Sequence, residues 1–70
     1  MMPLGMASVG DTNIIKRIPG QDEVKQHLSE LGFVVGAEVT VVNELGGNLI
    51  LNIKDSRVAL DKTMAMRIMV

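Results

Sequence analysis

Apolar positions along this chain follow two different spacings, and glycine or proline marks most of the changes between them. Ile14, Ile15 and Ile18 lie in a β-branched segment, Asp11 to Ile18, bounded by Gly10 and by Pro19-Gly20. Such a run predicts a first strand with its apolar side chains mostly inward. Proline has no amide to donate to a ladder, so Pro19 ends it. From Gln21 to Leu31 the period becomes helical, with Val24, Leu28 and Leu31 at i, i+4 and i+7. Asp22 and Glu23 stand in the first turn, where the helix dipole favours anions. Gly32 suits the left-handed position after a helix, and Phe33 is placed to fold back over the last turn.

Beyond Gly36 the period drops to two. Val39 and Val41 share one face of a segment from Glu38 to Val42, with Thr40 and Val42 on the other. Leu45-Gly46-Gly47-Asn48 carries the glycines a tight hairpin requires. Leu49, Leu51 and Ile53 then alternate with Ile50, Asn52 and Lys54. A polar turn, Lys54 to Arg57, leads into Val58-Ala59-Leu60. Asp61 is set to cap one short helical turn through Ala65, and Ile68-Met69-Val70 reads as a last short strand. About five short strands, with one α-helix inserted after the first, predict a mainly β SH3-like barrel. Closure into a barrel removes edges that would otherwise invite aggregation.

Composition narrows the function classes. The chain has 70 residues, which predicts a single domain, 1–70, and it contains no cysteine. The lack of thiols suits a reducing compartment, and the expected localisation is cytoplasmic. Seven basic against eight acidic residues leave a net charge of -1, and the cations are scattered. No basic stripe is available to displace phosphate counterions, and Phe33 is the only aromatic, so nucleic acid is not an expected partner. The longest uncharged run, Met1 to Gly10, is far short of the ~20 residues a membrane helix needs. Direct membrane insertion is not expected either.

Little of the inventory of a catalytic site is present. With no Cys and only one His, His27, nucleophile–base pairs have almost no material. The glycines match neither GxxxxGK[ST] nor a GxGxxG after a strand. No enzyme activity is expected. Metal binding is a separate matter, because Glu23, His27 and Glu30 sit at i, i+4 and i+7 on the predicted helix. Two carboxylates and an imidazole can hold a divalent transition ion such as Fe(II), with positions left for water. The plainer reading makes both glutamates a solvated face, and no cysteine is at hand to complete a four-ligand site. Met64, Met66 and Met69 offer soft thioethers suited to Cu(I), although flexible packing at the end of a small core accounts for them more simply. No resident cofactor is therefore expected. What is left is a contact surface, with Val34 and Val35 after the helix as its apolar candidates.

The order of landmarks resembles the FeoA family, ferrous iron transport protein A. Pro3-Leu4, Gly10, Ile15 and Ile18 resemble the family's opening strand. His27-Leu28-Ser29-Glu30-Leu31-Gly32-Phe33 resembles its R-L-x-x-L-G-[LF] helix end, with His27 where Arg is usual. Gly36-Ala37-Glu38-Val39 resembles the G-x-x-V that enters the next strand. Val58-Ala59-Leu60 with Ala65, Ile68 and Val70 resembles the closing L-x-x-x-x-A-x-x-I-x-V. The proline often found before the Leu49 strand is missing.

That resemblance implies an SH3-like barrel acting as an accessory to a FeoB-type ferrous iron permease, by contact with its cytosolic part and without catalysis. The same barrel resembles the C-terminal domain of iron-dependent repressors of the diphtheria toxin repressor type. A free-standing regulator domain of such a repressor is thus an alternative, as is a direct metal-binding module. For the contact surface the expectation is the exposed side of the helix, Lys25 and Glu30 included, together with the Phe33-Val34-Val35 loop. Both belong to the inserted element, which a barrel does not need for closure.

Overall fold

The computed structural model describes residues 1–70. A 3₁₀ turn, Leu4–Met6, is followed by β1 (Thr12–Ile14), α1 (Glu23–Glu30), β2 (Glu38–Leu45), β3 (Asn48–Ile53), β4 (Ser56–Asp61) and α2 (Lys62–Ala65). The strands form one antiparallel sheet in the order β1-β2-β3-β4. Two-residue turns join β2 to β3 through Gly46-Gly47 and β3 to β4 through Lys54-Asp55. Gly46 and Gly47 take φ of 54° and 85°, a conformation that only glycine adopts twice in succession without strain.

The inner face of the sheet follows the period of two. Val39 and Val41 on β2, Leu49, Leu51 and Ile53 on β3, and Leu60 on β4 are all buried. They join Leu4, Ile15, Ile18, Leu28, Phe33, Ala65, Ile68 and Val70 in one core of 14 residues. No polar or charged residue is buried with them. A bulge in β2 between Val41 and Asn43 shifts the register there and sharpens the bend that a small barrel requires.

The first strand departs from the sequence reading. Only Thr12–Ile14 pair with β2, and Ile14 faces outward at 46% exposure. The chain then bends, so that Ile15 and Ile18 enter the core while Lys16 and Arg17 bond to Met69 instead. Ile14 and Ile15 are adjacent, and adjacent strand residues point to opposite faces, so both cannot be inward.

The terminal segment pairs without forming a full strand. Met69 bridges Pro3 on one side and Arg17 on the other, and Met2 and Val70 exchange backbone hydrogen bonds of 2.9 and 2.8 Å. The expected fifth strand is thus reduced to bridges, because it is short and lies between two short segments. Nor does the ladder close all the way round. Asp61 accepts from the Thr63 amide at 2.7 Å and starts α2, which turns the chain away from β4 and packs on the 3₁₀ turn. The outer edge of β4 is left unpaired.

Candidate functional site

The inserted element is built from its two caps. At its start, the Asp22 carboxylate accepts from the Lys25 amide at 3.2 Å, satisfying one of the free donors of the first turn of α1. At its end, the Phe33 amide donates to the Leu28 carbonyl at 2.9 Å and the Gly32 amide to that of Ser29 at 3.0 Å. This pair of bonds is a Schellman motif, with Gly32 at φ 104° in the left-handed position. Phe33 and Leu28 hold the two positions whose apolar side chains accompany the motif, and both are completely buried in the same core. The helix end reads as the sequence predicts.

That same motif corrects one expected contact residue. Phe33 cannot meet a partner, because the cap folds its ring into the core. Val34 and Val35 remain on the surface, at 38% and 67% exposure. Ala37 donates to the Val34 carbonyl at 3.0 Å, Gly36 donates to Ile15 at 2.8 Å, and Ile15 donates to Ala37 at 2.9 Å. These bonds hold the turn against the end of β1, where Ile14 is also exposed. Val34, Val35 and Ile14 are the exposed apolar residues at this junction, while Met6, Val9, Leu45 and Met66 are exposed elsewhere. A strand with its apolar side chains mostly inward does not single out Ile14 as the one that faces outward.

Lys25 and Glu30 are both on the helix surface but on different sides of it. Lys25 lines an open groove of about 260 Å³ with Gln21, Asp22, Gln26 and Ser29. None of these is hydrophobic, so the groove is a hydrogen-bonding surface and not an apolar pocket. Glu30 is exposed in the last turn, close in sequence to the Val34–Val35 turn. Lys25, Glu30, Val34 and Val35 thus remain available to a partner.

Glu23, His27 and Glu30 are not gathered into one cluster. No group of three or more His, Asp or Glu side chains is arranged to hold an ion. Helical spacing puts the three on one side, but it does not make their donor atoms converge.

One electrostatic feature was missed by the sequence reading. Arg67 Nη1 donates to Asp22 Oδ1 at 2.6 Å. The guanidinium holds the Asp22 carboxyl below the usual aspartate range, aided by the Lys25 amide. No local pattern announces a pair so far apart in the chain. On the outer face of the sheet, Thr12 and Thr40 share a hydrogen bond of 2.8 Å, and Arg57 donates to Asn52 at 3.2 Å. Those four side chains form one polar row across all four strands.

A bent four-stranded antiparallel sheet with one inserted helix defines a small SH3-like barrel module. The chain belongs to the FeoA family: residues 2–70 match the model of the FeoA domain. It is 33% identical over 70 residues to a Methanocaldococcus jannaschii protein that bears the name Fe(2+) transport protein A, covering 100% of this chain and 85% of the relative. The crystal structure of an iron uptake regulatory protein, FeoA, superposes with a TM-score of 0.87 at 30% identity, covering 96% of this chain and 89% of that one. The Stenotrophomonas maltophilia FeoA complexed with zinc, described as a prokaryotic SH3 domain protein, gives 0.81 at 27%, with 99% and 88% covered.

A manganese-dependent transcriptional repressor shares the fold, with a TM-score of 0.83, 23% identity, 94% of this chain and 38% of the repressor. The expected likeness to both groups is borne out, and for the repressor it is a likeness of fold alone. No helix is long and apolar enough to cross a membrane.

Proposed function

We propose that this protein is a non-enzymatic, cytoplasmic accessory of ferrous iron transport, acting by direct contact with the cytosolic part of a FeoB-type permease. Membership of the FeoA family supplies the pathway. The observation that carries the mode of action is the Val34–Val35 turn, which is apolar, exposed and held rigidly by backbone hydrogen bonds between a capped helix and β1. Rigid apolar residues at a loop lose little entropy on contact, which favours their use as anchors. Glu30, in the last turn of α1, adds a charge near that anchor, and Lys25 adds one of opposite sign on another side of the helix. Charge of this kind sets orientation and encounter rate more than affinity. A chain of this size presents an interface of the small, transient kind, below about 1,200 Å².

For the Stenotrophomonas relative a role as a ferrous iron transport activating factor has been suggested, and a role of that kind is an accessory's and not a carrier's. The test is an NMR titration of the labelled chain with the soluble G-protein domain of the permease. Shifts are expected at Val34, Val35, Ile14 and Glu30, and Val35→Asp is expected to weaken binding roughly tenfold, equivalent to about 1.4 kcal/mol, with the melting temperature unchanged. Saturable binding that Val35→Asp leaves untouched would remove the turn from the interface, and absence of any binding would remove the partner.

A further inference from the structure

β4 is an edge strand with neither a bulge nor a proline to blunt it, although it carries two charged side chains of opposite sign, Arg57 and Asp61. Its register with β3 is unbroken from Ser56 to Asp61, so it has no bulge, and it contains no proline. No backbone hydrogen bond reaches it from any element other than β3. Which of its groups are free follows from the ladder. Lys62 donates to Gly47 at 3.0 Å, and the register pairs Leu60 with Leu49, Val58 with Leu51 and Ser56 with Ile53. In an antiparallel ladder the bonded pairs recur at every second residue. The backbone groups of Ser56, Val58 and Leu60 therefore face β3, while those of Arg57 and Ala59 and the amide of Asp61 face outward. All three residues are exposed.

The side chains on this edge are ordered so that they complement themselves. Arg57, Ala59 and Asp61 place a cation and an anion symmetrically about a small residue. Reversed by a two-fold axis through Ala59, the series sets Arg57 against Asp61 in both directions. Each side chain has capacity to spare. Arg57 uses Nε on Asn52 and keeps its two terminal nitrogens. Asp61 uses Oδ1 on the Thr63 amide and keeps Oδ2.

We propose that β4 is the seam of a symmetric dimer, in which it pairs antiparallel with β4 of a second copy, Ala59 against Ala59 and Arg57 against Asp61. Such an isologous contact extends the sheet across the two-fold axis and closes on itself, ending growth at two copies. Like charges on an edge repel a copy, whereas this arrangement accepts one. The seam lies on the edge strand, whereas the Val34–Val35 turn belongs to the inserted element, so the two contacts use separate segments.

Sedimentation velocity over a concentration series tests it. The wild-type chain is expected to pass from monomer to dimer, with weaker association as salt screens the ion pairs. Ala59→Pro removes an outward amide while sparing every bond to β3, and it is expected to stay monomeric. Arg57→Glu sets like charges across the seam, and its association is expected to fall roughly tenfold. Amide spectra of both variants establish that each is folded, and hydrogen exchange on the concentrated wild type is expected to slow at Arg57 and Ala59. A wild-type chain monomeric at the highest attainable concentration overturns the dimer, including the case where the edge takes an extended segment of another protein. A dimer that survives Arg57→Glu unchanged overturns this seam.

Discussion

Arg67 Nη1 lies 2.6 Å from Asp22 Oδ1, tying the segment after α2 to the residue that caps α1. The inserted helix is thus fastened at both ends, by this ion pair at its start and by the Gly32–Phe33 cap at its finish. Asp22 is depressed chiefly by the Arg67 hydrogen bond. A carboxyl whose folded pKa lies below its unfolded value contributes stability above the unfolded value and loses it as pH falls through the folded one. Arg67→Gln is expected to move the Asp22 midpoint upward, toward the ordinary aspartate range. The Lys25 amide shift, followed against pH by NMR, reports it, and an unmoved midpoint would assign the depression to the backbone amide.

Gly32 is the point at which the helix end depends on glycine. A Cβ there would sit 3.5 Å from Ile53 Cγ1, an ordinary contact, so the cost of Gly32→Ala is backbone strain and not a clash. Denaturant unfolding is expected to show a loss of about 1–2 kcal/mol. A neutral substitution would mean that the cap relaxes without penalty.

Gly5 is needed for space. A Cβ at this buried position would lie 2.6 Å from Met66 Sδ and 3.3 Å from the Lys62 carbonyl oxygen. Met66 is 40% exposed and its thioether can swing outward. Gly5→Ala is therefore expected to cost about 1 kcal/mol, set by the displaced Met66 side chain and the tight approach to the Lys62 backbone. The double variant Gly5→Ala, Met66→Ala is expected to recover part of that loss in thermal unfolding, since it empties the crowded site.

Glu23, His27 and Glu30 do not converge. Anaerobic titration with Fe(II), or with Mn(II) as a paramagnetic substitute, is expected to leave their resonances sharp until the metal is in large excess. Broadening confined to those three at stoichiometric metal, lost in His27→Ala, would instead make this helix face a metal site.

Removal of Leu28 probes how far the inserted element depends on the barrel. Leu28 is fully buried and its carbonyl takes part in the cap. Leu28→Ala is expected to cost about 2–5 kcal/mol. A cooperative transition at lower temperature would show that helix and barrel unfold together, and a separate early transition would show that they do not.

By itself the sequence determined the elements and the inner face of the sheet. Alternation of Leu49, Leu51 and Ile53, the Gly46-Gly47 turn, the i, i+4, i+7 helix, Gly32 as its stop and Asp61 as a cap are all written in residues a few positions apart. Local backbone preference is enough to read them. The same locality explains the resemblance to the FeoA family, whose landmarks are those glycines and aliphatics in order. Only the tertiary structure decided which of Ile14 and Ile15 enters the core, because that follows from where the chain bends to leave β2 for Met69. Only it buried Phe33 while leaving Val34 and Val35 outside, since a cap and a contact loop draw on the same short apolar run. The Arg67–Asp22 pair and the open edge of β4 are decided by how distant segments meet. No spacing within the chain encodes that meeting, and so which side chains and strand edges end at the surface became legible only once the barrel was folded.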